Sequence, residues 1–401
     1  MRKMMIMILA SVWSTLGLAE DIQTDWSGGD GQPGPVADWN DTFASAEDIS
    51  WWAVPGQVTL SSQGATPGGK HFLAGDQAGA FGIEAADLDG DGDVDLVGAA
   101  EGGGVLTAWL NNGDSPTTFT EFIVDGDFSG VSAVYAADLD GDLDLDLVAC
   151  SGNPYGGISC YLNEGGSPPV WKYQQVVGNW GQAWEIGTGD IDGDGNMDIV
   201  GTFIGNTEVA WFRNDGAEPI GWTMHTVDSG FGGAHCVRAG DLDGDGHTDL
   251  VGAGSVSNQV AWWRNSGTLP VTWTKQVISG SFNGARSVRI GDLDRDGDLD
   301  VAGCGFNNQV AWWSNDGDEQ AVWTQQTIDS SLVQTHQMQL ADLNGDGRLD
   351  VAAAAYGSNV VAWWESSGGP GPLSWTRHLT DYSLPDPLAL GIGDVDGDGS
   401  L

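Results

Sequence analysis

Apolar residues in this chain fall in short consecutive runs, not in a helical rhythm, and polar loops interrupt them at near-constant intervals. Asp249-Leu-Val-Gly252 and Val260-Ala-Trp-Trp263 are apolar at successive positions. Such runs imply strands buried on both faces of a sheet. In the stretch 287–328 the pattern predicts four antiparallel strands, A to D, over 287–291, 299–303, 309–314 and 322–328, joined by a polar loop at 292–300, a turn at 306–308 and a second loop near 315–320. A small sheet squeezed between two like neighbours meets that burial; a sandwich with one wet face does not.

The polar loop reads D-x-D/N-x-D-x-x-x-D and occurs seven times, beginning at Asp87, Asp138, Asp190, Asp241, Asp292, Asp342 and Asp394, with gaps of 51, 52, 51, 51, 50 and 52 residues. About 50 residues is the length of one four-stranded propeller blade. The expected fold is therefore all-β: a seven-bladed β-propeller of four-stranded repeats of about 51 residues, its closing blade incomplete at the C-terminus. The residue before each first aspartate is small (Ala86, Ala137, Gly189, Gly240, Gly291, Ala341, Gly393), as crowding around an axis requires. Ile49-Ser-Trp-Trp52 echoes the Trp-Trp strand and His71–Ala74 the outer strand, so the N-terminal part is expected to close the ring with Leu388–Gly393. The sequence ends at Leu401, one position short of the ninth residue of the last loop, and strand B of the closing blade is expected to be missing from it. The expected organisation is a signal peptide over 1–19, a leader over 20–48 and the propeller over 49–401.

The loops carry the chemistry. Position 1 is the aspartate already named. Position 3 is Asp89, Asp140, Asp192, Asp243, Asp294, Asn344 or Asp396, and position 5 is Asp91, Asp142, Asp194, Asp245, Asp296, Asp346 or Asp398. Position 9 is Asp95, Asp146, Asp198, Asp249, Asp300 or Asp350. Converging oxygens with a tight turn at position 6 suit a hard cation that takes six to eight oxygen ligands. Position 7 varies as Asp93, Asp144, Asn196, His247, Asp298, Arg348 and Ser400, and a position that accepts arginine contributes its backbone carbonyl. Calcium is expected over magnesium because irregular, oxygen-rich coordination suits it, in up to seven sites with the last incomplete. Zinc is disfavoured, since no histidine or cysteine takes a side-chain ligand position. An EF-hand needs glutamate at position 12, where this chain has Gly98, Ala149 and Gly201. Leu143 replaces a turn glycine, so that loop is expected to be distorted or weaker, while Arg295 places a cation at position 4 and Asn344 removes one formal charge.

Asp87-Leu-Asp-Gly-Asp-Gly-Asp-Val-Asp-Leu-Val-Gly98 and its copies resemble the FG-GAP or VCBS repeats of integrin-like β-propellers from about residue 70 to the end. The resemblance implies calcium ligands at positions 1, 3, 5 and 9 of each complete copy. For function it implies a scaffold shared by adhesion proteins, lectins and accessory domains of secreted enzymes.

Charge narrows the partners. With 57 acidic against 13 basic side chains and a net charge of -44, the chain repels nucleic acid and anionic membranes. Arg2 and Lys3, the apolar run from Met4 to about Leu18 and small residues before Glu20 read as a secretory signal, so the protein is expected to be secreted, extracellular or at the cell surface. Cys150 and Cys160 flank a short turn where a cross-strand disulfide is expected, with four buried thiols as the alternative.

The expected function is a non-catalytic binding or adhesion module for an extracellular glycan or protein. Six residues before each loop stand Phe81, Ser132, Trp184, His235, Arg286, His336 and Leu388, and Tyr155, Asn206, Asn258, Asn307 and Tyr356 lie in the turns at the same end. Phe81, Trp184, His235, Arg286, His336, Tyr155 and Tyr356 are the candidate ligand residues, with packing of the inner rim as their other reading. A polysaccharide lyase or hydrolase is the alternative from another class. No H-E-x-x-H or G-x-S-x-G occurs, so catalysis would need Glu84, Tyr135, Arg238 and Arg289 to converge at the axis. A display domain of a larger surface protein is the third reading.

Overall fold

The computed structural model describes residues 81–114, 117–318, 321–369, 373–379, 386–397 and 401 with their side chains, and strand backbone alone over 7–10, 50–54, 56–64, 66–77, 80 and 380–381. The leader and most of the expected signal peptide lie outside the described residues, as does Asp398.

Six four-stranded antiparallel sheets follow one another, their inner strands being Ala80–Ala86, Val131–Ala137, Ala183–Gly189, Ala234–Gly240, Ala285–Gly291 and Thr335–Ala341. Each chain segment then meanders outward through strands B, C and D. The inner strands sit side by side in sequence, and Pro387–Gly391 fills the place between the sixth and the first. Among the described residues seven strands thus ring the axis and six blades are complete.

This corrects the seven-bladed expectation. Pro387–Gly391 pairs with Met7–Ala10, within the expected signal peptide, in a two-stranded sheet. The predicted strand C lies in Ser50–Val54, which pairs with Gly56–Gly64 across a tight local turn; Thr66–Gln77 adds a third strand. Ser50–Val54 also lies beside Met7–Ala10 without joining its sheet. Among the described residues no helix is long and apolar enough to cross a membrane.

The core lies between blades. One cluster joins Val148 and Cys150 of the second blade to Ile186, Phe203 and Phe212 of the third. Another joins Trp262 of the fourth blade to Val288 and Trp313 of the fifth. This explains why strands B and C do not alternate: both faces meet a neighbour. The second tryptophan of strand C lies on a strand-B glycine, and a Cβ at Gly252 or Gly303 would come within 2.9 Å of the Trp263 or Trp313 ring. Where each inner strand ends, a Cβ at Gly189 would approach Ala239 Cβ to 2.9 Å, which accounts for the small residues there.

No disulfide forms. Cys150 pairs in register with Ile158 and Cys160 with Val148, two residues out of step, and all four cysteines are free and buried. Burial pushes the Cys150, Cys160 and Cys304 thiols up to about 12, so they act as small apolar side chains.

Candidate metal loops and candidate axial binding site

Each loop is folded by its own carboxylates. Position 1 organises the turn: Asp190 Oδ1 accepts the Gly193 N–H at 2.8 Å and Oδ2 the Gly195 N–H at 3.0 Å, and Asp87 does the same for Gly90 and Gly92. Position 5 accepts the N–H of position 7, as Asp91 does from Asp93 at 2.9 Å. Leu143 is held at φ 80, the left-handed conformation anticipated for this replacement of glycine, and Arg295, which was not read that way, is held at φ 64.

Position 9 has a second task that the sequence reading missed. Asp198 is fully buried; its Oδ2 accepts the N–H of Ile191 at position 2 and its Oδ1 the N–H of Asn214 at the end of strand C, 2.7 Å away. The same bracket recurs at Asp95, Asp146, Asp249, Asp300 and Asp350. The asparagine then reaches into the preceding blade. Asn214 Nδ2 donates to Leu139 O at 2.7 Å, Asn163 to Leu88 O at 2.8 Å, Asn265 to Ile191 O at 2.8 Å and Asn315 to Leu242 O at 2.6 Å. Asn111 donates to Val395 O at 2.8 Å, so the clamp also ties the seventh loop to the first blade. Ser366 takes this place in the sixth blade. A recurring asparagine was the available signal, but turn chemistry alone accounted for it.

Five loops bring three carboxylates within 4.8 Å of one another: Asp87, Asp89 and Asp95; Asp138, Asp140 and Asp146; Asp190, Asp192 and Asp194; Asp241, Asp243 and Asp249; and Asp292, Asp294 and Asp300. These clusters could hold metal ions. The sixth loop, with Asn344 at position 3, gathers no such trio. Position 3 supplies the fit test: Oδ1 of Asp89, Asp192 and Asp294 is buried without a hydrogen-bond partner. A buried carboxylate oxygen with no donor is costly unless a cation meets it. The donor set is oxygen throughout, which fits a hard cation. Burial pushes Asp95 and Asp350 up to about 6 and Asp146, Asp198, Asp249 and Asp300 up to about 7, against the backbone N–H groups that pull them down; a cation would pull the same way as those donors.

Side chains at position 7 point elsewhere. Asp93, Asn196, His247, Asp298 and Arg348 lie over the glycine of the following turn, where a Cβ on Gly113, Gly216, Gly267, Gly317 or Gly368 would collide with them. That leaves position 7 its backbone carbonyl, as the variation in the sequence implied. Two arginines were not anticipated: Arg213 bridges Asp192 and Asp194, and Arg264 bridges Asp243 and Asp245, capping the outer oxygens of the third and fourth loops.

The other end of the inner strands is irregular by design. Each pairs out of register at its second residue: Ala183 faces Phe203 and Glu185 faces Thr202, leaving Trp184 over. Phe81, Ser132, His235, Arg286 and His336 are skipped in the same way. A β-bulge re-aims its extra side chain, and here each one turns toward the axis. The rings meet there. Phe81 stands edge-on to Trp184 at 5.1 Å and to His336 at 5.6 Å, and His235 lies 5.2 Å from Trp184 and 5.4 Å from His336. These residues pack the inner rim and floor a depression.

That depression, about 630 Å³, is lined by Trp184, Arg286, Phe306, Tyr356, Asp386 and neighbours, and includes Phe81, His235 and His336. Tyr155 is not among them. It is 83% exposed and borders a separate hollow with Tyr173, because the second blade's turn splays outward. The turn amides are committed elsewhere: Asn206 Nδ2 donates to Trp180 O and Asn258 Oδ1 accepts the Gly284 N–H. Beneath the ring plug a smaller chamber of about 270 Å³ gathers Glu84, Tyr135, Glu185, Arg238 and Arg289. Arg238 pairs with Glu185 at 2.5 Å and Arg289 donates to Gln339 at 2.7 Å. Burial pushes the Glu84 carboxyl up to about 7, opposed by Arg238 and Arg289 and reinforced by Glu185.

Comparison with solved structures places the same fold in proteins of low identity. A lectin from Agrocybe aegerita, described as recognising non-reducing terminal N-acetylglucosamine, aligns with a TM-score of 0.61 at 20% identity, covering 88% of this chain and 97% of the lectin. A periplasmic gluconolactonase from Pseudomonas aeruginosa aligns at 0.56 with 15% identity over 84% of this chain and 95% of its own. SapL1 lectin, solved with alpha methyl fucoside, aligns at 0.50 with 13% identity over 76% of this chain and 96% of its own. The comparison with curated proteins returns no match. The FG-GAP-like repeat model matches residues 87–149, 190–252, 241–303, 299–353 and 342–401, more than half of the sequence and every loop whose carboxylates were traced above, so the chain belongs to the FG-GAP-like repeat family.

Proposed function

We propose that this protein is a secreted calcium-binding propeller that holds a glycan in its axial depression without catalysing a reaction on it. The observation that carries this reading is the bulge at the head of each inner strand. It spends ladder pairing in all six blades, and five of the six released side chains, Phe81, Trp184, His235, Arg286 and His336, line one depression, which a mere spacer does not need. Phe306 and Tyr356 offer ring faces on which a sugar can stack, and Gln182, Ser255 and Asp386 offer hydroxyl partners beside them. Two lectins with this fold bind sugars by their descriptions, which supports the class of ligand and not the site. In the loops, positions 1, 3, 5 and 9 would hold calcium, supplying fixed positive charge that relieves carboxylate repulsion and pins neighbouring blades.

A glycan array read with calcium present is the test. Signal on a defined set of sugars that fails on a Phe306→Ala, Tyr356→Ala variant with an unchanged melt supports the reading. A blank array across neutral and acidic glycans would count against it. The gluconolactonase keeps an enzymatic reading open, and the chamber below the plug is where it would reside: Glu84, near neutrality, faces Arg238 and Arg289. Turnover of a lactone or polysaccharide that Glu84→Gln abolishes would favour it.

A further inference from the structure

We propose that the axial depression selects a sugar residue bearing a carboxylate, and that Arg286 is the group that receives it. This rests on the axial glycan reading above and names its ligand class.

Arg286 is an anomaly in this molecule. Among 57 acidic side chains a guanidinium readily finds a carboxylate, and Arg213, Arg238, Arg264, Arg348 and Arg377 each have one. Arg286 has none. Its hydrogen-bond neighbours are two imidazoles: Nη1 lies 2.7 Å from His235 Nε2 and 3.3 Å from His336 Nε2. His336 Nδ1 donates to Leu388 O at 3.1 Å, which leaves its Nε2 lone pair to accept from Arg286. Burial, reinforced by the Arg286 charge, holds His336 down to about 3 and His235 well below its usual value. Both rings are therefore neutral at physiological pH, and they orient the guanidinium without cancelling its charge.

The donor capacity of Arg286 is only partly used. Nε is buried with no acceptor, and Nη2 makes no hydrogen bond to any described residue. Nη2 is the donor left open, and from there the guanidinium can give a carboxylate a charge-assisted hydrogen bond. Cζ lies 4.8 Å over the Phe306 ring, and Phe306 is tilted against Tyr356 at 5.8 Å. The cation is thus fixed beside the aromatic platform on which a pyranose would rest. A half-buried charge without a counter-ion is a standing cost, and a ligand that brings its own carboxylate removes it. Asp386, the carboxylate lining the depression, forms no ion pair with Arg286 and is placed to accept a hydroxyl.

The experiment is calorimetric titration of the calcium-loaded full chain with disaccharides ending in glucuronate, galacturonate or N-acetylneuraminate, with their neutral counterparts, and with acetate. At least one acidic disaccharide should bind at least tenfold more tightly than its neutral counterpart and than acetate. Arg286→Gln should remove that tenfold preference, Arg286→Lys should restore part of it, and neither should move the melt in calcium. Equal binding of acidic and neutral sugars, unchanged by Arg286→Gln, would overturn the carboxylate assignment and leave the glycan reading standing. Silence from every sugar overturns both. Should Arg286→Gln fail to fold, the acidic-over-neutral ratio in the unaltered protein and in Arg286→Lys decides the matter.

Discussion

The two ends of the inner strands obey opposite rules. At one end the loops repeat position by position, with Asp at 1 and 9 in every complete copy and the same bracket to position 2 and strand C. At the other end the backbone bulge repeats but the residue it displays varies: Phe81, Ser132, Trp184, His235, Arg286 and His336 put five residue types on one geometry. Repetition marks what every blade needs in order to stand against its neighbour. Variation on a repeated frame marks what the ring does once, at its axis.

Substitutions can separate the two ends. The largest effect is expected from Asp198→Ala, which strands the N–H groups of Ile191 and Asn214 in the core; unfolding should lose about 3–5 kcal/mol in denaturant titrations, with or without calcium. Asp294→Ala should behave differently, because its buried oxygen has no protein donor. In calcium it should cost about 2–3 kcal/mol, and in chelator it should be neutral or stabilising, since one repelling carboxylate is gone. A similar loss in both conditions would make position 3 a packing residue.

In the chamber between the two ends, Glu84 gives a pH readout. Its folded-state carboxyl is raised to about 7, so its contribution to stability is complete below its usual range and is lost as pH rises through about 7. Glu84→Gln should therefore match the parent near pH 5 and exceed it at pH 8 by on the order of 1–2 kcal/mol, as read from melts across that window. Smallest is Leu143→Gly, where relief of the left-handed leucine should stabilise by about 1 kcal/mol without altering ligand binding.

Much of the loop end was legible in the sequence. The period fixed the blade, and consecutive apolar residues placed strands B and C between neighbours. The Asn111, Asn163, Asn214, Asn265 and Asn315 clamps were not read, because the partner carbonyl lies in the preceding blade and leaves no local trace. Arg213 and Arg264 were missed for the same reason: they reach the loop from strand C. At the axial end the residues were found by counting back from each loop, yet the bulge that aims them has no compositional mark. Tyr155 was included by analogy with Tyr356, although its turn leads away from the axis. The closing blade was misjudged because a Trp-Trp echo resembled strand C, while local hairpin pairing decided its partner.

Thermal unfolding of the metal-stripped chain, followed as calcium is added, tests the central claim most directly. If the aspartate loops are cation clamps that hold blade to blade, chelator should lower the midpoint by roughly ten degrees or more and calcium should restore it, with several ions bound per chain. An identical melt in chelator and in excess calcium would contradict the account.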